Sequence, residues 1–297
     1  MEDKSVKESR IKPIYSYLKE SIKFYDIDQP LVAQIIFVLQ LAVVFGGYIL
    51  AMPYAEKIFF YYEQIFNKFQ AQIEAKNYDL SIFNSDIAIN MAYASLIMLS
   101  IYFGAKAIAY LFGVVYGSYY YMSITNTESS LNQRFTVILK RFPKIIIFNI
   151  LFYGVFAFFL FLITLTLGIA SLIVPLFMMI LPLLPFSVLA FDALFAFKNL
   201  LIVEFDVGVF RNFKKSLDIT KGCKRKVILN GLWPVCLGLL LSTFSLGLEN
   251  QLLSLFILAF FEIIIQLITQ RLTVLMFIDA ASVERIDGKV NEDKNMG

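Results

Sequence analysis

Histidine is absent from this chain of 297 residues, cysteine occurs twice, and charged residues make up only 16% of it. Each shortage excludes something. Without histidine there is no imidazole to act as a general acid or base, or to ligate a metal. Cys223 lies in a basic loop and Cys236 in an apolar run, so no disulfide is expected between them. Two thiols without histidine also make a poor transition-metal site, and no cofactor is expected. Walker loops, nucleophile elbows and HExxH motifs are missing as well, so nothing points to an enzyme. A net charge of +3 is too small to suggest a nucleic-acid partner. About thirty mostly polar residues precede the first apolar run, whereas a cleavable signal peptide would put that run near the start.

What is present in excess is apolar. The chain is 59% hydrophobic, with a mean hydropathy of +0.72, against about 45–50% apolar residues in soluble domains. The surplus gathers in runs of about 20 residues or more, enough to cross a ~30 Å hydrocarbon core. The runs predict an all-α polytopic membrane helix bundle of six transmembrane helices. Their spans are 31–53, one within 90–122, 145–168, 172–197, 227–248 and 252–272. The second region is too long for one span and too short for two. On this layout 22 of the 26 Lys and Arg residues fall on one side and three on the other, which puts both termini in the cytoplasm. The organisation that follows is a cytoplasmic segment over 1–30 with an amphipathic helix, a six-span membrane domain over 31–279 and a cytoplasmic tail over 280–297, at the cell membrane. Tyr48, Tyr54, Tyr61 and Tyr62, and then Tyr116, Tyr119, Tyr120 and Tyr121, are expected as interfacial belts. Ile58, Tyr62, Ile65, Phe69 and Ile73 form a stripe on a separate outer helix, lying on the leaflet or covering the bundle.

Two of the basic loops look alike. RFTVILKRFPKIIIFNILF, from Arg134, aligns with KSLDITKGCKRKVILNGLW, from Lys215. The alignment pairs Arg134 with Lys215, Lys140 with Lys221, Lys144 with Arg225 and Asn149 with Asn230. Each loop predicts an amphipathic helix. Leu131, Phe135, Ile138 and Phe142 share a face in the first, and Phe210, Phe213 and Leu217 in the second, where Gly222 suits the C-terminal cap. A weaker copy has Ile14, Leu18 and Ile22 on one face. The unit would be an interfacial helix followed by two spans, repeated three times. The alternative is that basic juxtamembrane helices resemble one another without common origin.

The stretch LAFDALFAFKNLLIVEFDVGVFRNFKKSLDITKGCKRKVILNGL resembles a segment of bacterial six-span membrane proteins. These include the membrane domain of some glycerophosphodiester phosphodiesterases and YciC-like proteins. Phe213-Lys214-Lys215-Ser216-Leu217, Thr220-Lys221-Gly222 and the basic entry into a span carry the resemblance, over roughly residues 125–245. Cys223 and Lys224 stand where an aromatic residue often follows the glycine. No soluble phosphodiesterase domain is present, so that activity does not carry over. The resemblance implies a fold and a bacterial inner membrane, and no specific activity.

Charges inside apolar runs are functional candidates by default. Glu262 is followed by Gln266 and Gln270 at helical spacing, a polar stripe suited to gluing helices together or to lining a wet cavity. Lys106 is placed to pair with Glu262 or to snorkel outward. Asp192 lies near the inner end of the fourth span, within reach of the interface. Arg211, Lys214, Lys215 and Lys221 are candidate contacts to anionic headgroups. Ala105, Ala109, Gly113 and Gly117 recur every fourth residue and permit close helix approach, internally or between copies. Pro182, Pro185 and Pro234 are expected kinks. Two functions fit: a non-enzymatic scaffold or accessory module contacting another membrane protein, or a transporter or channel for a small solute, ion or lipid.

Overall fold

The computed structural model describes residues 11–74, 86–126, 129–173, 179, 184–245 and 250–286. The described residues are mostly helical, with no strand among them. The helices are α1 (Tyr15–Ser21), α2 (Pro30–Glu74), α3 (Asp86–Thr125), α4 (Leu131–Ile173), α5 (Leu184–Leu194), α6 (Lys198–Phe205), α7 (Val209–Ile219), α8 (Lys224–Ser245) and α9 (Gln251–Ala281). Four of them, α2, α3, α4 (over Leu131–Ala170) and α9, are long and apolar enough to cross a membrane. At most 28% of the apolar window in any of the four is buried inside the protein. Protein therefore does not cover these faces, and an apolar solvent is what they require. The middle of the fourth expected span, including Pro182, lies outside the described residues, and its later part forms α5. Pro185 is the second residue of α5, a position that needs no amide donor. The fifth expected span falls in α8, with Pro234 inside that helix.

Two expected loop helices are not separate. The stripe through Ile58 and Phe69 belongs to α2, which runs through Pro53 for 45 residues. The helix through Leu131 and Phe142 belongs to α4, which runs through Pro143 for 43 residues. Proline removes one amide donor, but a break would free several backbone groups at each new helix end. Continuing the helix is cheaper. At 1.5 Å per residue α2 is about 68 Å long, roughly twice a hydrocarbon core.

The described residues fall into two compact units, Met1–Gln34 with Gly113–Leu240 and Ile264–Gly297, and Ile35–Phe112 with Leu241–Ile263. The first unit centres on α6, buried from Lys198 to Val203 and packed with α4 and α7. Phe148 and Phe152 of α4 meet Phe213 of α7 at ring distances of 4.8 and 6.1 Å. Phe195 lies 5.0 Å from Phe152, and Phe191 stacks on Phe156 at 4.6 Å.

In the same unit Tyr116, Tyr119, Tyr120 and Tyr121 are fully buried. They are not an interfacial belt. Three of their hydroxyls reach backwards to the segment before α2: Tyr116 to the Phe24 carbonyl, Tyr119 to Asp28 and Tyr120 to Glu20. Burying a ring while bonding its hydroxyl satisfies both halves of an amphipathic side chain. In α1 the buried face is Tyr17 and Ser21, while Ile22 of the expected stripe is exposed.

The second unit is built from parts of α2, α3 and α9. Phe37 packs edge-on against Phe260, and Phe45 against Phe256, both at 5.5 Å. A Cβ at Gly47 would lie 2.5 Å from the Ala105 Cβ, so glycine is required for this approach of α2 to α3. Gln40 donates to the Ala109 carbonyl at 2.8 Å.

Candidate functional site

In the second unit, the structure brings Lys106 of α3 and Glu262 of α9 into an ion pair. Tyr48 of α2 completes it. Lys106 Nζ donates to the Tyr48 hydroxyl at 2.8 Å, and that hydroxyl donates to Glu262 Oε2 at 2.6 Å. Lys106 bonds the other carboxylate oxygen, Oε1. The ammonium also lies 5.0 and 4.9 Å from the ring centroids of Tyr48 and Tyr102, which adds cation–π attraction. Both carboxylate oxygens thus have donors, and three helices are tied at one point. Such a closed arrangement lowers the cost of charge in an apolar setting. Ala105 and Ala109, one turn apart on α3, serve close contact with α2 within this unit.

In the first unit, Gln270 lies against Gly117, its Oε1 3.0 Å from where a glycine Cβ would be. Gly113 is buried on the same helix and Gln266 is half-buried on α9. Asp192 of α5 does not reach outward alone. It accepts from Lys198 at 2.7 Å and from the Tyr153 hydroxyl at 3.2 Å. Lys198, read from the sequence as a loop charge, has only 3% of its side chain exposed and sits 4.5 Å from the centre of the Phe152 ring. Its carbonyl accepts from Asn212 of α7. The two aligned asparagines bind different segments: Asn149 donates to Asn199, and Asn230 to the Lys12 carbonyl.

Three further residues were hidden among the counted loop charges. Arg134 is buried and paired with Asp28. Arg271 is buried, lies 4.2 Å from the centre of the Tyr120 ring and donates to the Lys23 and Asp26 carbonyls. Arg285 binds Glu20. With Tyr17 donating to Asp279 at 2.6 Å, these fasten residues 11–28 to the rest of the unit. Burial and the Asp279 carboxylate push the Tyr17 hydroxyl pKa well up. A basic residue near an apolar run reads the same in sequence whether it faces water or turns inward, so only the partners reveal it.

α7 turns the usual helix inside out. Its buried face is Asn212 and Ser216, followed by Thr220. Phe213 of the expected stripe also turns inward, to the aromatic cluster. Phe210 stays 83% exposed and Leu217 38%, on the same face as exposed Lys214, and Lys221 is exposed in the turn after the helix. Lys215 is half-buried, its Nζ 3.4 Å above the Phe205 ring. Gly222 adopts φ 86°, two residues after the C-cap Thr220, and turns the chain into α8. Between the end of α6 and α7 lies a concavity of about 490 Å³ whose lining includes Gly208, Arg211, Lys214 and Lys215. Asp206 and Asp218 line it too. Asp206 is paired with Lys144 at 2.7 Å. That hydrogen bond, with the charges of Lys144, Arg141 and Lys140, holds its carboxyl below the usual range. Among the described residues no cluster of His, Cys, Asp and Glu could hold a metal ion.

The chain matches no protein-family model, no curated protein and no solved structure among those compared.

Proposed function

We propose that the protein is a non-catalytic, six-span module of the cell membrane that acts as a scaffold or accessory for other membrane components. Both termini and α7 lie on the cytoplasmic side. The observation that carries this reading is the closure of the Lys106–Tyr48–Glu262 cluster. A transport pathway needs charged groups that exchange partners with cargo, whereas here the carboxylate oxygens are both engaged within the protein. The lopsided distribution of Lys and Arg supports the orientation. The resemblance of the 213–222 segment to YciC-like and phosphodiesterase-associated membrane domains supports the six-span count, and so do the aligned loops at Arg134 and Lys215.

The outward face of α7 supports a membrane-surface role. Phe210 and Leu217 supply apolar area, and Lys214 and Lys221 flank them with charge. An anionic leaflet attracts such basic residues by about 1 kcal/mol each, and transfer of the exposed Phe210 ring into the leaflet adds to that.

Reconstitution tests the function. Proteoliposomes carrying the full chain are expected to pass protons, alkali cations, halides and small organic solutes no faster than empty vesicles. A saturable flux that disappears in Glu262→Gln would overturn the scaffold reading in favour of a transporter.

A further inference from the structure

We infer that the concavity between α6 and α7 is a binding site for a single phosphate group, supplied by an anionic phospholipid headgroup or by free phosphate. The inference deepens the membrane-surface reading of α7 and rests on it only for the lipid source. Three cations, Arg211, Lys214 and Lys215, line the cavity against two carboxylates, Asp206 and Asp218. Asp206 is already engaged by Lys144, so the local balance is positive. Asp218 argues against a polyphosphate, and one phosphate is what this balance accommodates.

The backbone adds a second, independent element. Gly208 is the N-cap of α7, with extended backbone and no side-chain cap. A Cβ there would meet nothing within 4 Å, so the space before the helix N-terminus is open. Helix N-termini present amide donors and a partial positive charge, the combination that holds phosphate. Here that end opens into the same cavity that Arg211, Lys214 and Lys215 line. Lys215 is positioned by its stacking on Phe205, and Arg211 offers the planar fork suited to phosphate oxygens. Lys214 borders both this cavity and the outward face of α7, which sets the cavity at the headgroup level when that face meets lipid.

The test uses the full chain in phosphatidylcholine nanodiscs doped with phosphatidic acid or phosphatidylglycerol. Native mass spectrometry reads the anionic lipid retained, and phosphorus NMR in undoped nanodiscs reads binding of inorganic phosphate. Arg211→Gln and Lys215→Gln are each expected to lower retention about tenfold, the cost of one charge-assisted hydrogen bond. Arg211→Lys should recover part of the loss, and Lys19→Gln, exposed on α1 and outside the cavity, should change nothing. Retained lipid displaced by inorganic phosphate identifies the lipid as the source. Phosphate binding without lipid retention identifies the free anion. Both outcomes support the site. Equal retention in wild type, Arg211→Gln and Lys215→Gln overturns it, and so does an equal loss in Lys19→Gln, which would mean diffuse charge. A polarity-sensitive dye at Leu217→Cys reports separately whether α7 is seated in lipid. The cavity and the seating can therefore fail independently.

Discussion

At the scale of single residues, the Lys106–Glu262 pair is the sharpest case of one group existing for another. The two side chains are 23% and 30% exposed, between an open surface pair and a buried one. Removing one partner should cost on the order of 1–3 kcal/mol, between the surface and buried ranges. Glu262→Gln and Lys106→Met are each expected to lower the thermal midpoint in detergent, and the double variant should be more stable than the worse single one. Additive losses would mean that the groups act apart. The pair could be suspected from sequence because both residues interrupt apolar runs. The contribution of Tyr48 could not, since a tyrosine near a span end fits an interfacial belt equally well. Nor could the inward turn of Arg134, Lys198 and Arg271 be read, because burial of a cation depends on partners distant in sequence.

At the scale of elements, the four long helices were legible because their apolar runs are long and scarcely interrupted. Their lengths were not. Pro53 and Pro143 suggest boundaries locally, and the cost of freeing a whole turn of backbone groups at two new helix ends overrides them. The amphipathic character of α7 was legible, but the assignment of Phe213 to the outward stripe was not, because its aromatic partners come from α4 and the segment after α5. The small-residue stripe of α3 gives a direct test. Gly47→Ala places a methyl 2.5 Å from that of Ala105, and overpacking of this kind costs about 1–3 kcal/mol. The thermal midpoint should fall in Gly47→Ala and recover when Ala105→Gly is added. Gly117→Ala should cost less, because it meets the end of the flexible Gln270 side chain rather than a fixed Cβ. A Gly47→Ala protein as stable as wild type would show that the two helices can separate freely.

At the scale of the whole molecule, the reading to test is orientation. In a background lacking Cys223 and Cys236, a thiol at Gln70→Cys should react with an impermeant reagent in intact cells. One at Lys214→Cys should react only after permeabilisation. Reaction of both from the same side would end the six-span arrangement. The closed charge cluster also has a consequence for the order in which the chain is made. Lys106 is separated from Glu262 by 156 residues, so at about 5–20 residues per second the lysine waits roughly 10–30 s for its partner to be synthesised. Tyr48, 58 residues earlier, and the neighbouring Tyr102 have emerged by then. Their rings and the Tyr48 hydroxyl can hold the ammonium during the wait. Tyr48→Leu should therefore lose newly made chains in a pulse-chase experiment faster than Glu262→Gln does, even where the two mature proteins melt alike; equal early losses would refute a holding role. Tyr48 is thus a placeholder in time as well as a bond in space, keeping a charge in custody until the last long helix arrives.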